Sequence, residues 1–272
     1  MKKKYSARMD YPLEEIAPNV YKISDFNVTN CYLVVGKSRA ILIDCGTGFG
    51  DLRGFIKTIT PLPVHVVATH IHPDHTGGMG QFESIYVHRD DIKWSNYFMT
   101  SLWLRKIIKI ASFNTVDKTI RTGDIQKAVF RTKILPIDDG HIFDLGDRKL
   151  QVIHSPGHTR GSIILLDEVS KILFLGDNMC PSLWLFLPGA LSVEEWLVSA
   201  GTIAKLSEKY TPYWGHEEGK LDLSLIERVI QFGKEITAKH EKNSKISLIK
   251  AHPFNDRVNG SIVYRTGNVF RN

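Results

Sequence analysis

The chain has little cysteine and no long hydrophobic run, and both absences restrict the classes of protein to which it can belong. It contains three cysteines in 272 residues, at Cys31, Cys45 and Cys180, without the CxxC spacing of many zinc and redox motifs. Such a sparse, odd set argues against a disulfide-stabilised secreted domain and is typical of a reducing compartment. No run of about 18 apolar residues is present, which argues against a membrane-spanning helix.

The sequence pattern also argues against a secretory leader and an interdomain linker. The first residues, MKKKYSARMDYPLEEI, contain a basic cluster with no apolar segment behind it, so we expect a cytoplasmic protein. No stretch rich in proline, glycine and serine divides the chain, and we expect one domain over residues 1–272. The net charge of +6 is spread over separate lysine-rich segments. This favours a solvated surface, and we expect neither a nucleic acid nor a membrane as partner.

The hydrophobic pattern predicts an α/β fold. Short β-rich segments, such as NCYLVV, AILID and SIILL, occur in two regions, and each region is followed by segments with helical periodicity. This order favours two sheets packed as a sandwich with helices outside. Residues from about 91 to 132 are helical in pattern and rich in aromatics. They form a helical insertion that is either a lid over the active site or an outer packing layer, and we favour the lid.

One short stretch, ATHIHPDHTGG at residues 68–78, concentrates metal-binding side chains. His70, His72, Asp74 and His75 lie within six residues, and imidazole and carboxylate are ligands for zinc, iron and manganese. In extended backbone, side chains two residues apart point the same way, so His70 and His72 can bind one ion together. Asp74 and His75 would then face a second, adjacent ion.

Two coordination shells need more ligands than this stretch supplies, and three candidates follow at the ends of strands or loops. His158 lies in the SPGHT turn, Asp177 ends the apolar segment LFLGD, and His216 lies in YWGHEE. Each is close to a glycine, where the backbone can approach an ion closely.

This ordered set resembles the metallo-β-lactamase superfamily of metal-dependent hydrolases, in particular its glyoxalase II and lactonase-like branch. The resemblance covers about residues 20–216 and implies a four-layer αβ/βα sandwich with the metals at one edge between the sheets. It also implies a role for each matched side chain. The implied ligands of the first ion are His70, His72 and His158, those of the second are Asp74, His75 and His216, Asp177 bridges the two, and Asp44 in ILIDCGTG supports the site from behind.

The chemistry implied by the resemblance is hydrolysis by a hydroxide that lies between two divalent ions, most simply zinc, with iron or manganese as alternatives. Asp74 would orient the hydroxide and pass a proton to the leaving group. Exported β-lactamases of the superfamily often have cysteine in place of Asp177, and this chain does not. The remaining expectation is a hydrolase of a small ester, lactone or thioester.

Aromatic residues near these motifs are candidates for a substrate pocket. Trp184 and Phe186 follow Asp177 closely, Trp103 belongs to the helical insertion, and Tyr213 precedes His216. We expect the first three to line an apolar pocket and the Tyr213 hydroxyl to polarise a substrate oxygen. Core packing is the alternative for each of them.

Two other functions use the same ligands. The metal ligands and the excess of basic over acidic residues also suit a phosphodiesterase or nuclease, whose binding to nucleic acid would depend on salt concentration. A sensor that binds metal but does not turn over substrate is the third reading. For the hydrolase we expect a small-molecule substrate and a homodimer.

Overall fold

The computed structural model describes residues 11–100, 106, 108, 131–239, 249–253 and 261–271. Within these residues the strands are β1 (Leu13–Ala17), β2 (Val20–Asp25), β3 (Thr29–Val35), β4 (Ala40–Ile43), β5 (Val64–Val67), β6 (Ser84–His88), β7 (Lys133–Ile137), β8 (Ile142–Asp144), β9 (Lys149–His154), β10 (Ile163–Asp167), β11 (Ile172–Phe174), β12 (Ser182–Leu185), β13 (Thr211–Tyr213), β14 (Ile249–Pro253) and β15 (Ser261–Arg265). The helices are α1 (Leu52–Ile59), α2 (Pro73–Thr76), α3 (Arg89–Thr100), α4 (Val193–Ser207) and α5 (Leu223–Lys239), with 3₁₀ turns at Gly77–Gln81 and Thr266–Asn268.

The first sheet contains seven strands in sequence order, β1 to β7. From β1 to β4 each strand runs antiparallel to the next, and from β4 to β7 each strand runs parallel to the next. Strand β4 is apolar on both faces, because Ile41 and Ile43 belong to the core between the sheets whereas Ala40 and Leu42 pack on the opposite face towards α1. A strand that is buried on both faces has no polar alternation, as AILI shows.

The second sheet has five strands in the order β13-β11-β10-β9-β8. Strand β10 divides its side chains in the same way: Ile163 and Leu165 face the first sheet, and Ile164 and Leu166 face the outer helices. Trp196 of α4 lies fully buried in that outer cluster. The architecture is therefore helix, sheet, sheet, helix, and the expected four-layer sandwich is confirmed.

A third, three-stranded sheet in the order β12-β15-β14 was not expected. It joins β12, which follows the Asp177 segment, to β15 near the end of the chain.

Helix α4 begins with a capping box. The Ser192 hydroxyl accepts a hydrogen bond from the Glu195 amide, and the Glu195 carboxylate accepts one from the Ser192 amide.

The helical insertion begins with α3, but most of it lies outside the described residues. Its function as a lid therefore stays a prediction, as does the single domain over residues 1–272. Within the described part of the chain, no helix is both long and apolar enough to cross a membrane.

Candidate metal centre

The candidate ligands come from both sheets and meet at one edge of the sandwich. The turn with His70, His72, Asp74 and His75 follows β5 of the first sheet. The other three follow strands of the second sheet: His158 comes after β9, Asp177 after β11, and His216 after β13. The three-residue strand β13 before His216 was not expected from the sequence.

Three histidines form the first cluster. The ring centroids of His70 and His72 lie 4.6 Å apart, and those of His70 and His158 lie 4.8 Å apart. Nδ1 of His72 lies 2.9 Å from Nε2 of His158. All three side chains are buried, and one nitrogen of each lies within 4.8 Å of the others.

The second cluster consists of Asp74, His75, Asp177 and His216. Nε2 of His216 lies 2.9 Å from Oδ2 of Asp177 and 3.8 Å from Oδ2 of Asp74. Nε2 of His75 lies 3.4 Å from Oδ1 of Asp177 and 3.6 Å from Oδ2 of Asp74. The same Asp177 carboxylate lies 3.9 Å from Nε2 of His158, so it reaches both clusters.

Hydrogen bonds at the back of three rings determine which nitrogen faces the clusters. Nδ1 of His75 donates to the Asp44 carboxylate (2.8 Å), Nδ1 of His158 donates to the Trp184 carbonyl (2.8 Å), and Nδ1 of His216 donates to the Val28 carbonyl. Carbonyl and carboxylate oxygens only accept, so each Nδ1 carries a proton. Each Nε2 faces the other candidate ligands, and it offers a lone pair to a cation when the ring is neutral.

Such converging lone pairs require positive charge between them. The Nε2 atoms of His75 and His216 lie 3.4 Å apart with carboxylates on either side. Within the described chain, the buried Nε2 atom of His70 has no hydrogen-bond partner, and its ring lies among those of His72, His75 and His158. Buried polar groups without partners cost free energy, and metal ions offset that cost. The residues present therefore fit a pair of divalent cations.

The two clusters differ in how they affect proton binding. Burial, reinforced by neighbouring imidazoles, lowers the pKa of His70 and His72 well below the usual range. Burial also lowers the pKa of His75, but the Asp177, Asp74 and Asp44 carboxylates outweigh it and raise that pKa well above its usual range. For Asp177, burial raises the pKa, and the imidazoles of His216 and His75 outweigh it and lower it strongly. The carboxylates thus favour positive charge in the second cluster, whereas burial and neighbouring imidazoles disfavour a proton on His70 and His72 in the first.

Asp44 combines an unusual backbone with three polar contacts. Its φ of 59° lies in the left-handed region, which Asp adopts more readily than most residues. Besides His75, its carboxylate accepts hydrogen bonds from the amide (2.7 Å) and hydroxyl (2.8 Å) of Thr69. The side chain therefore links the end of β4 to the ligand turn.

Two glycines allow the ligand turn to lie against the end of β4. A Cβ at Gly78 would lie 2.0 Å from the Cys45 carbonyl oxygen, and one at Gly77 would lie 2.2 Å from that of Thr47. Any side chain here would force the backbones apart.

Asp91 is a buried acid at this edge that sequence reasoning missed. Its carboxylate accepts hydrogen bonds from the Ile71 amide (3.1 Å), the Thr159 hydroxyl (2.8 Å) and the Gly161 amide (2.7 Å). It thus connects α3 to both the first ligand turn and the turn of His158. Burial raises the pKa of Asp91 to about 6, against the effect of these hydrogen bonds. Its position at the start of a helix gave no sign of this contact set.

A cavity of about 350 Å³ opens over the clusters. Asp74, Asp177, His72, His158 and His216 contribute to its wall. The apolar part of the wall includes Val28, Phe98, Ile108, Trp184, Leu187 and Trp214. Phe98 of α3 packs on the His72 ring, with centroids 4.6 Å apart, so α3 does reach the site.

The four expected substrate contacts have different places. Trp184 lines the cavity and is 46% exposed. Phe186 does not line it, because its ring packs on Trp184 and the next residue, Leu187, faces the cavity. Tyr213 does not line it either: strand alternation directs its ring into the core against Tyr32, and Trp214 faces the cavity instead. Trp103 lies outside the described residues.

Comparison with known proteins identifies the family to which the chain belongs. Residues 24–216 match the family model described as metallo-beta-lactamase superfamily. The chain is 33% identical over 168 residues to acyl-coenzyme A thioesterase MBLAC2 of Homo sapiens, a match that covers 56% of this chain and 58% of that protein. For the protein of the same name in Gallus gallus, the identity is 32% over 200 residues, and the coverage is 67% and 69%.

A solved structure shows the same fold. A metallo-beta-lactamase family protein from Thermus thermophilus superposes with a TM-score of 0.59 at 20% identity, over 82% of each chain.

Proposed function

Because the chain belongs to the metallo-β-lactamase superfamily, we propose that it is a metal-dependent hydrolase that cleaves thioesters of apolar acyl groups. One observation carries the proposal: two adjacent clusters of histidine and aspartate share Asp177 and lie beneath a cavity with a largely aromatic and aliphatic wall. The MBLAC2 relatives are named acyl-coenzyme A thioesterases, which supports the thioester rather than the ester or lactone.

In this proposal His70, His72 and His158 bind one ion, and Asp74, His75 and His216 bind the other, with Asp177 between them. When bound, two such ions would lower the pKa of water and offset negative charge on the thioester carbonyl oxygen. Zinc suits this mixture of imidazole and carboxylate, and iron and manganese are the alternatives.

The protein's own residues orient the substrate and move protons. The Asp74 carboxylate lines the cavity with its side chain 20% exposed, so it can reach both the attacking water and the leaving sulfur. We propose that Asp74 accepts a proton from the attacking water and donates it to the leaving thiolate. The acyl group would lie against Trp184, Leu187 and Phe98, which excludes water from the apolar end of the cavity.

The remaining expectations belong to the proposal as predictions from the sequence. They are a cytoplasmic location, a homodimer, a lid formed by residues of about 91–132, and membership of the glyoxalase II and lactonase-like branch.

The test is elemental analysis of the purified protein together with a panel of substrates. The panel contains acyl-coenzyme A thioesters of increasing chain length, lactones, β-lactams and phosphodiesters. We expect about two metal equivalents per chain and thiol release from the longer acyl thioesters. His72→Ala and Asp177→Ala should lose at least about a hundredfold in kcat/KM, and His65→Ala, away from the site, should not.

Three results would contradict the proposal. Full activity in His72→Ala or Asp177→Ala would show that the substituted residue does not have the role assigned to it. Faster cleavage of phosphodiesters than of thioesters would favour the nuclease reading. Bound metal without turnover of any substrate would favour the sensor.

A further inference from the structure

Most of the hydrogen bonds that join the loop of residues 214–219, which carries His216, to the rest of the described chain come from one hairpin of the other sheet, and the Gly215 amide also donates to the Gly176 carbonyl at 3.1 Å. The hairpin is formed by β2 and β3, whose edge faces this loop. Four of the six loop carbonyls, those of Trp214, Gly215, Glu217 and Glu218, accept hydrogen bonds from it.

The first part of the loop is bonded to β3. The Tyr32 hydroxyl donates to the Trp214 carbonyl at 2.5 Å. The Thr29 hydroxyl and the Asn30 amide both donate to the Gly215 carbonyl, at 2.9 Å and 2.6 Å. Two bonds to one carbonyl use both of its lone pairs, so the peptide just before His216 is restrained from two directions.

The second part of the loop is bonded to side chains of both strands. Nδ2 of Asn30 donates to the Glu217 carbonyl at 3.1 Å, and Nζ of Lys22 donates to the Glu218 carbonyl at 2.9 Å. The Ser24 hydroxyl donates to Oδ1 of Asn30 at 3.0 Å. That contact orients the Asn30 amide so that its NH₂ group faces the loop.

The donors are buried and the loop backbone is restrained. Tyr32 and Asn30 are each 2% exposed. Glu217 has a φ of 48° and Gly219 a φ of 81°, both in the left-handed region that a loop keeps only when its surroundings enforce it. A Cβ at Gly219 would lie 2.7 Å from the Tyr32 hydroxyl, so the close approach depends on glycine.

The imidazole of His216 is oriented by the same hairpin, because its Nδ1 donates to the Val28 carbonyl in the turn between β2 and β3. The hairpin therefore contacts both the main chain on either side of His216 and its ring. The first cluster is oriented from elsewhere, since His158 donates to Trp184.

We infer that Tyr32 and Asn30 are positioning residues that set His216 opposite Asp177 and thereby determine the affinity of the second cluster for its cation. The inference rests on the proposed two-metal function. Tyr32 and Asn30 touch neither substrate nor the clusters, and they act only through the carbonyls of the loop. Loss of either donor should leave the first cluster unchanged.

The test uses the metal alone. Apoprotein is titrated with Zn²⁺ in the presence of a competing chromophoric chelator, which reports the first and second equivalents separately. Tyr32→Phe keeps the ring packed on Phe174 and Tyr213 and removes only the hydroxyl. Asn30→Ala removes the amide donor. We expect each to bind the second equivalent about tenfold more weakly and the first within about twofold of wild type. Tyr213→Phe is the matched control, because it makes the same chemical change in the adjacent ring, and it should titrate as wild type does.

The results separate this inference from the proposed function. Wild-type protein that binds fewer than two equivalents contradicts the two-metal proposal itself. If wild-type protein binds two equivalents and the variants bind the second equivalent as tightly as wild type does, only the inference is overturned. Equal weakening of both equivalents overturns it too, because the hairpin would then act on the fold as a whole. If Tyr32→Phe does not fold, Asn30→Ala decides between these outcomes.

Discussion

The imidazole of His75 donates from Nδ1 to the carboxylate of Asp44 across 2.8 Å, with both side chains buried. This pair connects the end of β4 to the ligand turn after β5 and leaves Nε2 of His75 facing the second cluster. A carboxylate behind a ligating histidine fixes the ring orientation and makes the ring a better donor to metal.

Replacement of Asp44 by Asn should weaken metal binding while the fold persists. Asn tolerates the left-handed backbone of this position, but it has an NH₂ group in place of one carboxylate oxygen, so at least one of the donors of Thr69 and His75 loses its acceptor. We expect about 10- to 100-fold lower affinity for the second equivalent of Zn²⁺, measured by chelator competition. Asp51→Asn is the control, because Asn is an equally good N-cap for α1. Wild-type affinity in Asp44→Asn would show that the pair has no influence on the metal.

Trp184 should determine the preference for long acyl groups. Its ring lines the cavity, and truncation to Ala removes apolar surface that would cover an acyl chain. We expect KM for a long-chain acyl thioester to rise about tenfold, and KM for an acetyl thioester to change little. Phe186→Leu, next to it but outside the cavity wall, should leave both values unchanged. An equal rise for both substrates in Trp184→Ala would argue against an acyl contact.

Two glycine substitutions should have opposite effects on stability. Gly78→Ala places a Cβ 2.0 Å from the Cys45 carbonyl and should destabilise the protein by about 2 kcal/mol or more, with loss of bound metal. Gly201→Ala, in an exposed helical position with no atom within 4 Å of the added Cβ, should stabilise it by about 0.5–1 kcal/mol. Urea denaturation measures both. A stable Gly78→Ala that keeps its metals would show that the turn can move away from β4.

Asp91 should make the stability depend on pH. Its pKa is raised to about 6 in the folded protein from about 3.9 in an unfolded chain, so the folded state binds the extra proton between these values. The stabilising contribution is complete below about pH 4 and is lost as the pH rises through 6. The asparagine in the variant Asp91→Asn cannot ionise, so the variant lacks this loss. The difference in free energy of unfolding, variant minus wild type, should therefore be about 1 kcal/mol larger at pH 7 than at pH 5. Parallel pH profiles of the two proteins would contradict a raised pKa.

Much of the candidate site could be predicted because its ligands obey a local rule. A polar, metal-binding residue that directly follows an apolar strand has few structural reasons to be there, and parallel neighbours bring such ends to one edge. His70 to His75, His158 and Asp177 followed this rule, and the structure brings them together with His216. Asp44 was indicated by the resemblance to the superfamily.

The parts that could not be predicted depend on contacts without a local signature. The carbonyls of Val28 and Trp184 orient two ligand histidines, but every residue has a carbonyl. The pairing of β12 with β15 joins residues about 80 positions apart, which no short pattern reveals. Tyr213 was placed in the pocket because it precedes His216, whereas strand alternation directs Trp214 there instead.

The two contacts of Trp184 have a consequence for how the substrate range of the proposed hydrolase can change over evolutionary time. Its ring lines the cavity in which we propose the acyl chain lies, and its own carbonyl accepts a hydrogen bond from His158. Substitutions of this side chain can change the shape of the cavity alone, but insertions or deletions that shift the β12 main chain would also displace His158, a proposed metal ligand. New specificities should therefore arise here by point substitution, and changes of loop length should accumulate on other borders of the cavity.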